Sequence, residues 1–333
     1  MLNVFRRTAS ALNSEVPMTT SLRLALAQIA PVWLDRDATL AKVVAAIEEA
    51  GARGARLVAF GEGLLPGYPF WVEHTEGARF EFALQKRLYA HYGAQAVQIE
   101  RGDLQPVCEA ARRARTWVVL GVIERPPERG GHSLYCRFVL IDDSGAVRNV
   151  HRKLMPTHEE RLVWSTGDGH GLRTFDFEGL RLGGLNCWEN WMPLTRTALY
   201  AQGLDLHVAI WPGGVRNTRD ITRFVAMEGR CFVLSVGGLM RSEHIPVHLP
   251  EYALLKASLP ERLADGGACV AAPDGRWLLE PQADAEQVFV VDIDPAEVAQ
   301  ARQSFDPCGH YSRPDVLSLK LNAARQQVLT RGE

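Results

Sequence analysis

The sequence predicts an α/β protein of one domain, in which sheets are covered by helices. Three observations support this class. Short apolar runs typical of buried strands alternate with helical stretches from residue 21 onward. Hairpins are mixed with helix-linked crossovers, and no linker, low-complexity segment or internal repeat divides the chain. The length of 333 residues is near that of two average domains, but a large α/β unit can run this long as one.

The first part of the chain predicts a β-α-β unit. Residues 22–29 form an expected strand, and Asp37 is expected to cap the following helix. One apolar helix face then recurs at i, i+3, i+4 and i+7, in the residues Leu40, Val43, Val44 and Ile47. Gly51 and Gly54 are expected to end this helix. Residues 56–60 are a short buried strand, so the unit ends close to a glutamate.

The remaining elements follow from the same patterns. Two hairpins are expected, one around the turn Asp142–Gly145 and one around Gly179. The predicted strands are 117–123, 134–141, 147–150, 175–177, 180–185, 206–211, 231–236, 269–272, 277–279 and 288–293. The predicted helices are 77–97, 103–115, 191–203, 218–229 and 295–303, with another near the C-terminus. We expect residues 1–20 to be a disordered or unprocessed extension, residues 21–316 to be the domain, and residues 317–333 to be a tail.

Composition excludes several classes of protein. The chain has 37 Lys and Arg against 39 Asp and Glu, a net charge of −2, which does not fit a general nucleic-acid binder. The six cysteines are scattered without a C-x-x-C pair, which argues against a zinc ribbon and suits a reducing cytoplasm. No apolar run reaches 18 residues, so no membrane span is expected. A metal site is not expected.

Three polar residues stand at or just beyond the ends of predicted strands: Glu62, Lys153 and Cys187. Ligands of α/β proteins tend to bind beyond the carboxyl ends of strands, so these side chains could converge. A cysteine is a good nucleophile only as a thiolate. A neighbouring cation lowers its pKa, and a nearby carboxylate can take its proton. A helix start near Asn190–Pro193 would favour the thiolate further.

Each of these residues also has a simpler interpretation. A cysteine after an apolar strand is more often a small buried side chain of the core. A glutamate in that position is usually solvated or capping, and Lys153 beside two basic residues fits a solvated turn. The chemical interpretation therefore depends on the three residues together with their flanking segments.

Those flanking segments resemble the nitrilase, or carbon–nitrogen hydrolase, superfamily. The segments are Phe60-Gly61-Glu62 with Pro66-Gly67-Tyr68-Pro69, His151-Arg152-Lys153-Leu154-Met155-Pro156-Thr157 with Glu160-Arg161-Leu162-Val163-Trp164, and Leu185-Asn186-Cys187-Trp188-Glu189-Asn190 with Pro193-Leu194. The order of Glu, Lys and Cys and their spacings match, and the similarity extends from about Leu22 to Val316. One departure is Gly61, where proline commonly precedes the family's glutamate.

The resemblance implies a four-layer α-β-β-α sandwich. It implies that Cys187 is the nucleophile, Glu62 the general base and Lys153 the cation that stabilises the tetrahedral intermediate. A second glutamate of the family, which positions substrate or the lysine, corresponds to Glu160, with Glu159 adjacent to it. It also implies that no metal or organic cofactor is needed and that the chain assembles as a homodimer or larger homo-oligomer.

Within the superfamily, Cys187-Trp188-Glu189-Asn190 resembles the true nitrilase branch. We therefore expect hydrolysis of a small-molecule nitrile to the carboxylic acid and ammonia, with no nucleic-acid or membrane partner. Trp188, Tyr68 and Trp164 are candidates to line the pocket, because aromatic residues provide flat apolar walls. The alternatives are an amidase, a carbamoyl-amide hydrolase or a cyanide-hydrating enzyme on the same scaffold. A catalytically silent binding protein is a further alternative, although it would have no need for all three polar residues.

Overall fold

The computed structural model describes residues 21–329. The extension expected for residues 1–20 lies outside this range. In the described part, the strands are β1 (Leu22–Gln28), β2 (Leu57–Phe60), β3 (Trp117–Glu124), β4 (Tyr135–Ile141), β5 (Val147–Arg152), β6 (Phe175–Phe177), β7 (Leu180–Asn186), β8 (Leu206–Trp211), β9 (Phe232–Gly237), β10 (Leu239–Arg241), β11 (Arg262–Ala271), β12 (Trp277–Ala283) and β13 (Gln287–Ile293).

The α-helices of this range are α1 (Arg36–Ala52), α2 (Trp71–His74), α3 (Ala83–Gln95), α4 (Gln105–Ala114), α5 (Pro193–Tyr200), α6 (Val215–Gly229), α7 (Tyr252–Ser258) and α8 (Ala296–Arg302). Two short 3-10 helices, His158–Leu162 and Cys187–Trp191, carry polar residues of interest. No helix of the described residues is long and apolar enough to cross a bilayer.

The strands form two sheets. The first has the order β13-β1-β2-β3-β4-β5, and the second has the order β10-β11-β9-β8-β7-β6 with β12 beside β11. Strands β1, β2 and β3 are parallel, as are β7, β8 and β9. Both predicted hairpins form, as the antiparallel pairs β4–β5 and β6–β7.

The two sheets pack face to face, and helices cover their outer faces. Side chains of both sheets share one buried cluster, which includes Leu24, Val119, Leu206, Leu234 and Val270. Apolar residues of α1 and α4 pack on the outer face of the first sheet, and those of α5 and α6 pack on the second. The order helix, sheet, sheet, helix confirms the expected four-layer sandwich.

Some details of the secondary structure differ from the sequence prediction. Helix α1 is capped by Asp35, whose side chain accepts the backbone N–H of Ala38, and Asp37 lies in its first turn. The predicted helix 77–97 is limited to α3, whereas β10 and α7 were not predicted. Strand β11 is also longer than the predicted 269–272.

The helix predicted near the C-terminus is wrong, since residues 303–329 contain no helix. This segment instead packs back on the domain beside β5. Arg325 forms an ion pair of 3.0 Å with Asp168, and the Gln326 side chain donates to the Gly167 carbonyl at 2.8 Å. The apolar residues Leu317, Leu319 and Leu321 alternate with polar ones, a period of two that suits extended backbone better than a helix. The division at residue 316 stays a prediction.

Candidate active site

Glu62 lies directly beyond β2, on a loop that passes between the two sheets. Its backbone N–H donates to the Trp211 carbonyl at the end of β8 at 2.9 Å. The side chain is buried at 2% exposure. Two glycines allow this close passage: a Cβ on Gly121 would lie 2.2 Å from the Gly61 carbonyl oxygen, and one on Gly61 would lie 2.7 Å from the Gly238 nitrogen. The crowding around Gly61 gives a local reason for glycine at the position where the family commonly has proline.

Lys153 directly follows β5 and is also buried. Its backbone N–H donates to the Cys136 carbonyl on the neighbouring strand at 2.9 Å. Its ammonium lies 3.0 Å from Glu62 Oε1 and 2.6 Å from Glu160 Oε2. The two carboxylates thus hold the ammonium in one position, although an isolated lysine side chain is flexible.

Cys187 lies at the tight turn between β7 and the 3-10 helix Cys187–Trp191. Its φ is +46°, a left-handed conformation that is costly for a residue with a Cβ. Two side chains of the turn hold it there. The Asn190 amide donates to the Cys187 carbonyl at 2.8 Å, and Glu189 Oε2 accepts the backbone N–H of Asn186 at 2.9 Å. The helix predicted to start near Asn190–Pro193 is α5, and the separate 3-10 helix that begins at the cysteine itself precedes it.

Glu160 lies on the 3-10 helix His158–Leu162 and is 1% exposed. Its Oε2 accepts the Lys153 ammonium and the backbone N–H of Thr157, both at 2.6 Å. Its Oε1 accepts the Tyr68 hydroxyl at 2.7 Å. Glu159 instead pairs with His158, a side chain that is 90% exposed. Of the two adjacent glutamates, Glu160 is the one that faces Lys153.

The predicted residues converge. Carboxylate oxygens of Glu62 and Glu160 and the sulfur of Cys187 all lie within 4.8 Å of one another. Such a donor set resembles a cation site, but the Lys153 ammonium already lies within hydrogen-bond distance of both carboxylates. A buried carboxylate needs a partner charge, and Lys153 supplies it here.

Burial and mutual charge set the protonation of these groups. Burial raises the pKa of the Cys187 thiol well above its usual value, although the Lys153 charge and the Trp188 backbone N–H oppose this. Burial raises the pKa of Glu62 to about 7, against the opposing effect of Lys153. Burial lowers the pKa of Lys153, but the charges of Glu62, Cys187 and Glu160 outweigh it and raise that pKa well above its usual value. The lysine is therefore cationic, and Glu62 titrates near neutrality.

A cavity of about 400 Å³ opens above Cys187. Of the three aromatic residues expected at the pocket, Tyr68 and Trp188 line this cavity. Trp164 is buried and lies behind the wall: it packs edge to face on Tyr68, with ring centroids 5.5 Å apart, and its ring centroid is 5.4 Å from the Lys153 nitrogen. The other lining residues include Phe70, Glu73, His74, Thr157, Glu160, Pro212, Arg216, Asn217 and Arg262.

Some residues that hold the side chains of the site in place were not singled out from the sequence. Cys136 contacts Glu62, with its sulfur 3.5 Å from Oε1. The His151 imidazole donates to the Glu189 carboxylate at 3.1 Å, and both side chains are buried. The spacing Asn186-x-x-Glu189 at the start of a helical turn is that of a capping box, so Glu189 could have been singled out from sequence. No sequence pattern pointed to Cys136.

Comparisons with known proteins agree with this architecture. Residues 23–303 match the family model described as carbon-nitrogen hydrolase. The chain is 38% identical to a nitrilase of Pseudomonas syringae pv. syringae, with 92% of this chain and 91% of that protein covered. It is 35% identical to nitrilase 1 of Arabidopsis thaliana, with 97% and 92% covered. The solved NitFhit protein of C. elegans has a similar fold, with a TM-score of 0.68 at 18% identity over 92% of this chain and 69% of that one.

Proposed function

The chain belongs to the carbon–nitrogen hydrolase family, and from that premise we propose that it is a nitrilase, which converts a nitrile and water to a carboxylic acid and ammonia. The observation that carries this proposal is the cluster of Cys187, Glu62, Lys153 and Glu160, in which Cys187 and Glu160 line the cavity. The relatives named above, which are nitrilases and align over more than nine tenths of the chain, support the nitrile as substrate.

Cys187 is the proposed nucleophile. Because burial raises the pKa of its thiol, the resting group is protonated and needs a base at the moment of attack. Glu62 is the proposed base. Its pKa of about 7 is matched to proton transfer near neutral pH, and its Oε2 is buried without a hydrogen-bond partner among the described residues. That oxygen is available to take the thiol proton.

Lys153 and the backbone N–H of Trp188 are the proposed stabilisers of the negative charge that develops as sulfur adds to the nitrile carbon. Fixed donors in a buried site stabilise such charge more strongly than water does. Glu160 is proposed to act on the lysine rather than on the thiol. Its bonds to Lys153, Thr157 and Tyr68 support a positioning role for the lysine.

The reaction is proposed to proceed in two hydrolytic stages. The Cys187 sulfur adds to the nitrile carbon, and the thiol proton passes through Glu62 to the nitrile nitrogen, which gives a thioimidate. Water, deprotonated by Glu62, adds to that carbon, and the tetrahedral intermediate loses ammonia to leave a thioester. A second water releases the carboxylic acid and restores the thiol. If the tetrahedral intermediate loses the thiolate instead, the product is the amide.

We further propose that the protein works as a homodimer or larger homo-oligomer in the cytoplasm. Helices α5 and α6 and the turn before them expose large apolar side chains at one face, among them Trp191, Leu194, Phe224 and Met227. A groove of about 730 Å³ runs along this face. Arg219, Arg223 and Glu280 also line the groove, and a surface that mixes apolar and charged side chains suits an interface, for which a second copy of the chain is the proposed partner. The six cysteines all lie in the described range and all are free thiols, which suits a reducing compartment.

The test is ammonia release from a panel of aliphatic, arylacetic and aromatic nitriles, together with their amides, by the unmodified protein and by Cys187→Ala. Acid and amide products are quantified in the same reactions. Ammonia and acid from nitriles that disappear in Cys187→Ala support the proposal. Turnover of amides alone would place the protein among the amidases, and no turnover of either class would favour a binding protein.

A further inference from the structure

Cys136 lies on β4, directly behind Glu62 and away from the cavity. It is 1% exposed, and it is not among the residues that line the cavity. Its sulfur lies 3.5 Å from Glu62 Oε1, within the distance of a thiol hydrogen bond. Its backbone carbonyl accepts the N–H of Lys153 at 2.9 Å. One residue of β4 therefore contacts both the proposed base and the proposed cation.

The two oxygens of Glu62 have different surroundings. Oε1 receives the Lys153 ammonium and the Cys136 thiol. Oε2 is buried and has no hydrogen-bond partner in the described part of the chain. A carboxylate held by two donors on one oxygen cannot rotate freely, because rotation would break both contacts at once. The arrangement leaves Oε2 as the oxygen that can accept a proton.

We propose that Cys136 is a positioning residue for the general base: its thiol, together with Lys153, fixes Oε1 of Glu62 so that Oε2 stays free for the Cys187 proton. The inference rests on the proposed role of Glu62. It gives a function to a second buried thiol of the site, one that cannot itself reach a substrate in the cavity.

The charged and polar groups around Glu62 determine how loss of the Cys136 thiol would change the pKa of Glu62. Lys153 favours the ionised carboxylate, whereas Glu160 and burial oppose it. Cys187, Tyr68 and Tyr92 also lie within range of its charge. Burial and the Glu62 charge raise the pKa of Cys136 well above its usual value, so its thiol remains a donor throughout the neutral range. Removing this donor withdraws a hydrogen bond from the ionised form of Glu62, which raises the carboxyl pKa.

The experiment measures the rate at which iodoacetamide alkylates Cys187 between pH 5.5 and 9, by mass spectrometry of the Cys187 peptide. The variants are Cys136→Ala, which lacks the donor, and Cys136→Ser, which keeps one. The matched control is Cys269→Ala. Cys269 is equally buried on β11, and its thiol lies 3.5 Å from the Thr222 hydroxyl rather than from a residue of the site. Alkylation needs no nitrile, so the result does not depend on the identity of the substrate.

In Cys136→Ala, the pH midpoint of the acid limb, where the alkylation rate falls, is expected to rise by about half a pH unit. At a given pH below this midpoint, the alkylation rate should then be about threefold lower. In Cys136→Ser, this midpoint is expected at or below the pH found for the unmodified protein. In Cys269→Ala, it is expected at the same pH as in the unmodified protein. An unmoved limb in Cys136→Ala, a serine variant that follows the alanine variant, or a Cys187 that iodoacetamide does not modify would each overturn the inference. Nitrile turnover is measured separately, so a shifted limb without nitrile turnover would refute the proposed substrate and not the role of Cys136.

Discussion

The Glu189 carboxylate reaches from the cysteine turn to the lysine loop, where its Oε1 accepts the backbone N–H of Leu154 at 2.5 Å. Leu154 directly follows Lys153, and Glu189 lies two residues after Cys187. The same carboxylate accepts the N–H of Asn186 at 2.9 Å and contacts His151. One buried side chain thus fixes the separation between the two segments that carry the thiol and the ammonium.

Replacing this carboxylate is expected to destabilise the protein. Glu189→Ala leaves two backbone N–H groups and a buried histidine without their partner, and the free energy of unfolding should fall by about 3 kcal/mol or more. Urea unfolding followed by circular dichroism measures this. Glu159→Ala is the control, since among residues 21–329 its carboxylate pairs with exposed His158 alone, and it should cost about 0.5 kcal/mol or less. Equal effects of the two substitutions would contradict the structural role of Glu189.

The activity should decrease at acidic pH, because Glu62 becomes protonated and can no longer act as the base. Because the pKa of Glu62 is raised to about 7, kcat/KM should be highest above that pH and should decrease about tenfold per unit well below it. The raised pKa also means that the folded protein binds this proton more tightly than the unfolded chain does. The Glu62 contribution to stability therefore diminishes as the pH rises from about 4.5 through about 7. A kcat/KM that stays constant down to pH 5 would argue against Glu62 as the base.

Removal of the cation should abolish most of the activity. Lys153→Met keeps the length of the side chain but leaves the charges of Glu62 and Glu160 unopposed, and it removes a stabiliser of the developing negative charge. A decrease in kcat/KM of about 10²- to 10³-fold is expected. Lys256→Met, at an exposed position of helix α7 that does not line the cavity, should match the unmodified protein. Circular dichroism confirms the fold of both variants, and a folded Lys153→Met protein of normal activity would refute the assigned role.

The cavity wall should control the binding of bulky nitriles. Trp188→Ala removes an aromatic wall while retaining the backbone N–H, so KM for an aromatic nitrile should rise about tenfold with a smaller change in kcat. Trp191→Ala is the matched control, and because Trp191 lies on the proposed interface between copies, its KM is measured on protein whose oligomeric state by size-exclusion chromatography equals that of the unmodified protein. Its ring lies 6.2 Å from that of Trp188 and is similarly exposed, but it faces the groove along α6 instead of the cavity. If both substitutions change KM equally, Trp188 is not a specific part of the substrate wall.

The polar residues that end or follow strands were predictable as candidates, because ligands of α/β proteins tend to bind beyond the carboxyl ends of strands. Glu62, Lys153 and Cys187 were identified in this way, and the flanking motifs added Glu160. The direction of an aromatic side chain was not predictable. From the sequence, Trp164 and Trp188 were equal candidates to line the pocket. In the structure, Trp164 is buried behind Lys153, whereas Trp188 is 51% exposed at the cavity.

Contacts across the sheets were not predictable either. Cys136 reaches Glu62 across 74 positions of sequence, and Glu189 reaches Leu154 across 35. Such contacts depend on the order of the strands, which a single sequence does not specify. The helix predicted for the C-terminal segment does not form among residues 303–329, and its leucines alternate with a period of two. The ion pair of Arg325 with Asp168 holds this segment on the domain.

The most direct test of the central claim is rapid acid quenching of the protein during turnover of a nitrile, followed by mass spectrometry of the Cys187 peptide. This peptide is expected to gain the mass of the acyl group derived from the nitrile, and the gain should disappear when the nitrile is consumed. Cys187→Ala should show neither adduct nor acid. Acid formation at an undiminished rate by Cys187→Ala would show that the thiol is not the nucleophile.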